Sequence, residues 1–257
     1  MLQALLWDVD GTLAETERDG HRVAFNTAFA ALGLAWHWDQ GRYGRLLRVT
    51  GGRERLLAAM AEETDAPVLA GEREALAREL HRRKNQAYAA LVHEGAIPLR
   101  PGVRELLDEA GAKGLRQAIV TTTSRANVDA LLGRHLGAGW QRRFVVVVCG
   151  EDVAAKKPDP EAHRRALAAL RCPSVAALAI EDSWAGAMAA RSADVPVLVT
   201  RSAYFHADPI EHAVAIGPGL HRRDGWQPRL AGHAGERITL DDLLDWHARM
   251  DLVSDTG

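Results

Sequence analysis

Residues 5–17 read LLWDVDGTLAETE, an apolar run that stops at two aspartates, Asp8 and Asp10, just before a glycine. In extended backbone, residues two apart share a side, so the two carboxylates point the same way. Gly11-Thr12 provides turn chemistry immediately after them, and taken alone Asp-Gly is a common turn dipeptide. The rest of the chain decides between a structural turn and a site.

Short apolar runs recur along the chain with helical stretches between them. Strands are predicted at 2–7, 116–120, 144–148, 176–180 and 195–199, and helices at 102–113, 125–136, 159–171 and 183–192. Strands that alternate with helices predict an α/β fold with a doubly wound, parallel, Rossmann-like sheet.

Residues 15–97 have a different character, because their apolar positions follow the helical period and no convincing strand is present. An all-helical block inserted after the first strand predicts a cap domain at 15–97 and a core domain formed by 1–14 and 98–257. Beyond about residue 202 the period is lost, and 217–237 is predicted to be an irregular surface loop. A short helix at 239–250 follows, with Thr239 as its N-cap.

The bulk composition narrows the class of protein. A chain of 257 residues with 47% hydrophobic content can bury a large core, and 32 basic residues balance 34 acidic ones, so no global charge favours nucleic acid or an anionic membrane. No apolar run approaches the ~20 residues of a membrane span, and no signal-peptide pattern opens the chain. Cys149 and Cys172 lack metal-ligand spacing and indicate buried thiols of a reducing compartment. We expect a cytoplasmic monomer whose partner is a small molecule.

Polar residues of distinct types follow three further predicted strands: Thr121–Thr123, Lys156-Lys157-Pro158 and Glu181-Asp182-Ser183. Each group has an ordinary structural alternative, such as a helix cap or a solvated lysine. The carboxyl ends of parallel strands share one sheet edge, where open α/β sheets bind ligands. Four coincidences at one edge therefore predict a site.

The chemistry that needs these groups is phosphoryl transfer assisted by Mg²⁺, a hard cation that binds few carboxylates. Asp8 and Asp182 can supply those carboxylates. Asp8 can attack phosphorus if the repulsion between anions is cancelled by the metal and by the ammonium of Lys157. Asp10 is placed to protonate the leaving group and then to deprotonate the hydrolytic water.

These motifs resemble, in order, those of the haloacid dehalogenase superfamily of phosphatases: DVDGT at 8–12, Thr121, KPDP at 157–160 and Glu181-Asp182. The resemblance implies a parallel-sheet core with an α-helical cap of the first type. It also implies the following roles: Asp8 as nucleophile forming an aspartyl-phosphate, Asp10 as general acid/base whose backbone carbonyl reaches Mg²⁺, Thr121 as phosphoryl ligand, Lys157 as charge neutraliser and Asp182 as metal ligand. Lys156 does not match the motif.

Two related chemistries are disfavoured by the same residues. Halide leaves without a proton, so the acid at Asp10 favours phosphate esters over dehalogenation. Phosphonate cleavage would need a Schiff-base lysine in the cap, and no local pattern marks Lys84 for that role.

The cap contains VTGGRERLL at 49–57, where Gly51 and Gly52 precede a helix start and Arg53 follows. Main-chain amides at a helix start beside a guanidinium are typical of an anion site, although a flexible turn with surface arginines is the plain alternative. Glu17 and His21 lie one helical turn apart in the helix that leaves the sheet edge. A cationic lid suits a second phosphate, so a sugar bisphosphate or monophosphate is the hypothesis for the substrate.

Over the whole chain the sequence resembles the CbbY family, which is associated with Calvin-cycle carbon fixation, in DVDGTLAETERDGHRVAFN, WHWD, VTGGRERL, KKPDP and ITLDDLLDWH. Characterised members are xylulose-1,5-bisphosphate phosphatases. The resemblance implies that Gly51, Gly52 and Arg53 contact the bisphosphate and that Glu17, His21 and Lys84 line the same cleft. We expect Thr122 and Thr123 to contact substrate as well.

The chain departs from that family at Trp7, where phenylalanine is expected, and at Arg53, where lysine is frequent. Arginine keeps the charge but changes the geometry, which leaves the sugar preference open. Two other functions also stay open. One is a β-phosphoglucomutase-type mutase, and the other is a non-catalytic regulatory protein that binds Mg²⁺ and phosphate, against which Asp10 argues because a binding module needs no leaving-group acid.

Overall fold

The computed structural model describes residues 1–230 and 236–254, and at its centre lies a six-stranded parallel sheet in the order β3-β2-β1-β4-β5-β6. The strands are β1 (Ala4–Trp7), β2 (Arg116–Val120), β3 (Val146–Val148), β4 (Ala177–Glu181), β5 (Val197–Thr200) and β6 (Ala215–Gly217). The predicted α/β fold class is confirmed. The central strands β1 and β4 are buried along their whole length and are apolar up to Glu181 at the end of β4, because both faces of the sheet are covered.

Helices cover the two faces of the sheet and bury two separate hydrophobic clusters against it. The helices that follow strands or close the chain are α5 (Val103–Ala112), α6 (Arg125–Leu136), α7 (Glu161–Leu170), α8 (Trp184–Arg191) and α9 (Leu240–Ser254). Each of these helices begins within two residues of the start that the sequence predicted. Their regular apolar spacing explains that agreement.

Between residues 17 and 93, all of which the structure describes, the chain is helical and contains no strand. A π-helical turn (Glu17–His21) leads into α1 (Arg22–Ala31), followed by α2 (Gln40–Leu46), α3 (Gly52–Ala59) and α4 (Ala70–His93). Aromatic rings dominate the interior of this block, with Phe25 and Phe29 both packed against Trp38 at centroid distances of 4.7 and 4.9 Å. Its interpretation as a cap domain at 15–97 stays a prediction.

Two neighbouring segments connect the helical block to the sheet. Ala14 pairs with Leu99 in an isolated antiparallel bridge, and the amide of Arg100 donates to the carbonyl of Leu13 at 2.8 Å. The Arg100 guanidinium donates to the carbonyl of Arg201 at 2.6 Å and lies 3.6 Å from the Glu15 carboxylate. These contacts fix the chain at the point where it leaves β1 and returns to the sheet.

The segment after β5 corrects the prediction of a plain surface loop. Residues 215–217 form β6, and Trp226 is buried against Trp246 of α9 with ring centroids 4.8 Å apart. A three-residue strand and single buried rings are too short to give a period, which is why the sequence pattern missed them. Residues 231–235 of the predicted loop lie outside the described residues.

Smaller predictions about the chain can also be compared with the structure. Thr239 Oγ1 accepts from the Asp242 amide at 3.4 Å while Asp242 accepts from the Thr239 amide at 2.9 Å, a reciprocal cap at the start of α9. Cys149 and Cys172 are buried free thiols, as predicted. Among the described residues, no helix combines the length and apolar character needed to cross a membrane.

Candidate active site

Three neighbouring strands end together and place the predicted motifs side by side. Trp7 of β1 is in register with Ile119 of β2 and with Ile180 of β4. The residues just beyond these positions are Asp8, Thr121, Glu181 and Asp182, so the parallel register itself brings them to one edge.

Lys157 is the best-fixed side chain at this edge. Its Nζ donates at 2.8 Å to Asp8 Oδ1, to Glu181 Oε1 and to the carbonyl of Val120, so its three protons all have acceptors. Burial acts to lower the pKa of Lys157, but the charges of Asp8 and Glu181 outweigh it and raise that pKa above its ordinary value. The group is a permanent cation beside Asp8.

Asp8 is held at both carboxylate oxygens, because Thr12 Oγ1 donates to Oδ2 at 3.0 Å while Lys157 binds Oδ1. Burial raises the pKa of Asp8 to about 7, with Lys157 opposing the shift and Glu181 and Asp10 adding to it. Burial and the neighbouring acids thus disfavour the ionised form of Asp8, and additional positive charge at the site would favour it again.

The carboxylates of Asp8, Glu181 and Asp182 form an acidic cluster in which one oxygen of each lies within 4.8 Å of the others. Asp182 is buried, and its Oδ2 has no hydrogen-bond partner among the described residues. Such a set fits a hard cation, which takes carboxylate oxygens and would satisfy the orphaned Oδ2. Gly11 is required beside it, because its φ is +82° and a Cβ there would lie 1.9 Å from Asp182 Oδ2.

The predicted ligand set of Asp8, Asp10 and Asp182 differs from this cluster in one member. The Asp10 carboxylate lies outside it, accepting at Oδ1 from Thr16 Oγ1 at 2.6 Å and lying 3.0 Å from His21 Nε2. Glu181 takes its place among the side chains. A contribution of Asp10 through its backbone carbonyl stays a prediction.

The surroundings of Asp10 set its ionisation. Burial acts to raise its pKa, but the charge and hydrogen bond of His21 and the hydrogen bond of Thr16 outweigh that effect and lower it to about 2. Both partners belong to the segment that leads from the sheet into the helical block. Asp10 is therefore ionised in this arrangement.

In the helical block, Glu17 is part of a buried polar network that the sequence did not reveal. Tyr43 donates its hydroxyl proton to Glu17 Oε2 at 2.5 Å, and Arg55 Nη1 donates to the Tyr43 hydroxyl at 3.0 Å. Arg55 Nε also donates to the carbonyl of Leu46 at 3.2 Å, and its guanidinium lies over the Tyr43 ring. The network holds a guanidinium and a carboxylate at the cleft in fixed positions.

Arg53 and Arg55 of the same helix point to different surroundings. Arg53 has a side chain 47% exposed and lies 3.8 Å from Glu74, whereas Arg55 is only 6% exposed. Gly51 has φ +97°, a conformation that favours glycine, and it turns the chain into α3. Gly51, Gly52 and both arginines border the cleft.

Lys84 lies on α4 with 3% of its surface exposed, and its Nζ is 5.4 Å from the centroids of the Phe25 and Tyr88 rings. Burial lowers the pKa of Lys84 to about 8, while Asp10 and Glu17 oppose the shift. Lys84 Nζ donates to Asn85 Oδ1 at 3.4 Å, the one hydrogen bond of this ammonium within the part of the chain that the structure describes, so the group is well placed to bind an anion.

The three threonines after β2 divide between structural and cleft positions. Thr121 is buried, and its Oγ1 accepts from the Thr123 amide at 3.2 Å. The Thr123 hydroxyl accepts from Asn127 of α6, whose amide also donates to Asn85 of the helical block, each at 3.2 Å. Thr122 and Thr123 border the cleft, whereas Thr121 lies beneath it.

The cleft consists of two adjoining chambers that share Asp10, Glu17, Gly51, Arg55 and Thr122. The larger, of about 580 Å³, is bordered by Asp8, Lys157 and Asp182. The smaller, of about 90 Å³, extends between His21, Lys84 and Lys156. One end can therefore receive the reacting phosphoryl group, and the other offers buried cations.

The structure thus brings together every predicted site residue, with Thr121 just below the cleft surface. The sequence analysis assigned no site role to Thr16 and Tyr43, and it named Thr12, Arg55 and Glu181 only as neighbours of predicted site residues, without their contacts to Asp8, Tyr43 and Lys157. The spacing from Gly52 did contain a usable pattern, because Arg55, Leu56 and Ala59 fall three, four and seven positions along α3 and form its buried face.

Comparisons with known proteins agree with this geometry. A family model described as haloacid dehalogenase-like hydrolase matches residues 2–194. The chain is 42% identical over 249 residues to the plasmid protein CbbY of Cupriavidus necator, covering 96% of this chain and 97% of that relative. It is 47% identical over 212 residues to protein CbbY of Rhodobacter capsulatus, covering 82% and 91%.

The solved structures that this chain resembles also include CbbY proteins. The crystal structure of a CbbY mutant from Rhodobacter sphaeroides in complex with xylulose 1,5-bisphosphate has a TM-score of 0.77 to this chain at 41% identity. The match covers 83% of this chain and 92% of that one.

Proposed function

We propose that this chain, which belongs to the haloacid dehalogenase-like hydrolases and within them to the CbbY family, is a Mg²⁺-dependent phosphatase of xylulose 1,5-bisphosphate. It is an enzyme of the phosphatase type. The proposal concerns its substrate, its metal and the roles of its residues. The observation that carries it is that one cleft has two chemically different ends. One end is bordered by Asp8, Lys157 and Asp182, and the other offers the buried cations Arg55 and Lys84.

The acidic cluster of Asp8, Glu181 and Asp182 supports the choice of Mg²⁺. Carboxylate oxygens are the ligands this hard cation takes, and Asp182 Oδ2 is otherwise unsatisfied among the described residues. Asp8 and Asp182 would hold the ion, with Glu181 tied to Lys157. When bound, Mg²⁺ supplies positive charge that favours the ionised form of Asp8 and reduces its repulsion of the phosphoryl group.

In the first half of the reaction, an Asp8 carboxylate oxygen attacks phosphorus and the bond from phosphorus to the sugar oxygen breaks. Lys157 stays charged throughout and offsets the negative charge that gathers on the transferring oxygens. The sugar oxygen leaves as an alkoxide and takes its proton from Asp10. The products of this half are an aspartyl-phosphate on Asp8 and a free sugar hydroxyl.

Asp10 must be protonated for that step, although its own surroundings keep its pKa near 2. An arriving phosphate is a second anion beside the carboxylate, and a like charge raises the pKa of an acid. In the second half Asp10 takes a proton from water and the water oxygen attacks phosphorus. The bond between phosphorus and the Asp8 oxygen breaks, which releases inorganic phosphate and restores the Asp8 carboxylate. The ionised state favoured by His21 and Thr16 suits this half of the cycle.

The cap side chains support a substrate with a second anionic end. Lys84 and Arg55 are buried, and the turn at Gly51-Gly52 opens helix α3 toward the same chamber. Glu17, held by Tyr43, offers an acceptor for a sugar hydroxyl between the two ends. A bisphosphate would engage both ends at once, and this would orient the reacting group.

A phosphate-release screen with Mg²⁺ tests the substrate. It compares xylulose 1,5-bisphosphate, ribulose 1,5-bisphosphate, fructose 1,6-bisphosphate and hexose monophosphates, and we expect the highest kcat/KM for the first. A strong preference for a hexose monophosphate would refute the bisphosphate assignment. Accumulation of an isomeric sugar phosphate without phosphate release would identify a mutase instead.

A further inference from the structure

Lys156, which does not match the phosphatase motif, makes its main contact across the cleft. Its Nζ donates to Glu54 Oε1 at 2.6 Å, joining positions 102 residues apart. Glu54 lies in the first turn of α3, directly after the Gly51-Gly52 turn. Lys156 directly precedes Lys157, the cation that binds Asp8. The pair therefore links the anion-binding turn of the helical block to the reaction centre of the sheet.

The Lys156–Glu54 pair lies away from the two chain segments that connect the helical block to the sheet. The two segments that connect the helical block to the sheet are held by the Ala14–Leu99 bridge and the Glu15–Arg100 ion pair, and α4 also contacts α6, where Asn127 donates to Asn85 at 3.2 Å. Lys156 instead borders the smaller chamber together with Gly51 and Gly52. The Lys156–Glu54 ion pair therefore joins the two sides of the smaller chamber directly, away from the two segments that connect the helical block to the sheet.

The packing around the pair shows how closely the turn is fitted to it. A Cβ at Gly51 would lie 2.2 Å from Glu54 Oε2 and 2.6 Å from Lys156 Nζ. The positive φ and this close approach both require glycine there. Burial acts to raise the pKa of Glu54, but its hydrogen bond and charge interaction with Lys156 outweigh that and lower it. The carboxylate is thus ionised and paired.

We infer that the Lys156–Glu54 ion pair, called here the clasp, is a positioning device that holds the Gly51-Gly52 turn over the reaction centre, in the free protein and with substrate bound. Neither residue takes part in bond making. The clasp stabilises the closed cleft, so the distal anionic end of the substrate binds in register with Asp8. This inference rests on the proposed function, because it assigns the clasp to binding at that same site.

A double-mutant cycle tests the clasp by steady-state kinetics on the best substrate of the screen. Glu54→Gln and Lys156→Met should each raise KM about two- to fivefold with a smaller change in kcat, the range of a partly exposed ion pair. The double variant should be no worse than either single one. Glu79→Gln is the matched control, because Glu79 pairs with Arg82 and Arg83 within α4 alone and should leave KM unchanged.

Salt provides a second kinetic test. KM of the wild type should rise with potassium chloride more steeply than KM of Glu54→Gln, because only the wild type retains the pair that salt screens. Additive losses in the double variant would show that Lys156 and Glu54 act separately and would overturn the clasp. A Lys156→Met loss that persists fully in the Glu54→Gln background would assign Lys156 to direct substrate binding instead.

Hydrogen exchange on the free protein separates failure of the clasp from failure of the proposed function, since it needs no substrate. Amides 52–56 should exchange faster in Glu54→Gln and in Lys156→Met than in the wild type, and they should be unchanged in Glu79→Gln. Equal exchange in all four proteins would refute the clasp. Absence of wild-type turnover on the whole panel would instead refute the proposed function.

Discussion

Replacing Asp182 by asparagine should stabilise the protein without metal and abolish its stabilisation by Mg²⁺. Asp182 is 2% exposed, its Oδ2 has no hydrogen-bond partner among the described residues, and it shares the acidic cluster with Asp8 and Glu181. Burial and the charge of Asp8 raise its pKa well above the ordinary value. The Asp182→Asn substitution would keep the shape of the side chain and remove the repelling charge.

The size of the effect follows from the contacts. An unsatisfied buried polar group costs about 1–3 kcal/mol, and more when it is charged, so the metal-free variant should gain about 2–3 kcal/mol. In a chain of this length that corresponds to a Tm higher by about 4–12 °C. For the wild type, Mg²⁺ at about 100 times its Kd adds about 2.7 kcal/mol, which should restore a similar Tm.

Thermal unfolding followed by circular dichroism measures both effects at pH 8, in EDTA and in excess MgCl₂. Raised acid pKa values mean that the folded metal-free protein binds more protons than the unfolded chain, so wild-type stability should fall as pH rises from about 4 through about 7, the pKa of Asp8. Asp108→Asn, at an exposed carboxylate that pairs with Arg143, is the control. A variant that gains nothing in EDTA, or that responds to Mg²⁺ as the wild type does, would refute this account of the cluster.

Three further outcomes are expected. Because the pKa of Lys84 is lowered to about 8, its ammonium loses its charge above that pH, and kcat/KM should fall as pH rises through about 8. The same fall in Lys84→Met would contradict a role of Lys84 in binding the substrate anion. Arg55→Met should cost about 2–3 kcal/mol in denaturant unfolding, since it leaves the buried Tyr43 hydroxyl oxygen without its donor and removes one of the two donors to the Leu46 carbonyl. Arg53→Met should cost less than about 0.5 kcal/mol, and equal costs would refute the difference. Gly11→Ala should remove Mg²⁺-dependent stabilisation, because the added Cβ displaces the cluster carboxylate that Gly11 contacts; an unchanged Mg²⁺ titration of Tm would contradict this.

The fold and the reaction centre were predictable from the sequence because both depend on local pattern. Buried parallel strands are continuous apolar runs, and the residue after each run must lie at one sheet edge. The positions of Asp8 and Asp182 follow from that rule, whereas Lys157 lies beyond the end of β3 at Val148 and was distinguished from Lys156 by its match to the family motif. Short or irregular elements escaped it, as with β6 and α2, whose few residues give no period.

The contacts of the individual side chains were harder to predict, because they depend on which way a helix faces. Arg53 and Arg55 are alike in the sequence, yet the apolar face of α3 buries the second and leaves the first half-exposed. Glu181 was read only as the neighbour of Asp182, although its contact with Lys157 makes it part of the charge balance. Such pairings join positions far apart in the chain, and a single sequence gives no measure of them.

The location of the partners of Asp10 connects its chemistry to the helical block. Asp8, the proposed nucleophile, is fixed by residues of the sheet edge, whereas Asp10 is fixed by Thr16 and His21, which lie on the way into α1. Any movement of the helical block relative to the sheet edge therefore changes the hydrogen bonds to Asp10 before those to Asp8. Withdrawal of His21 would remove the largest influence that lowers the pKa of Asp10, so the carboxylate would become easier to protonate in an open cleft. In the proposed reaction both halves take place in the closed cleft, so the arriving phosphate must outweigh His21 for Asp10 to be protonated in the first half, and His21 favours the base form that the second half needs.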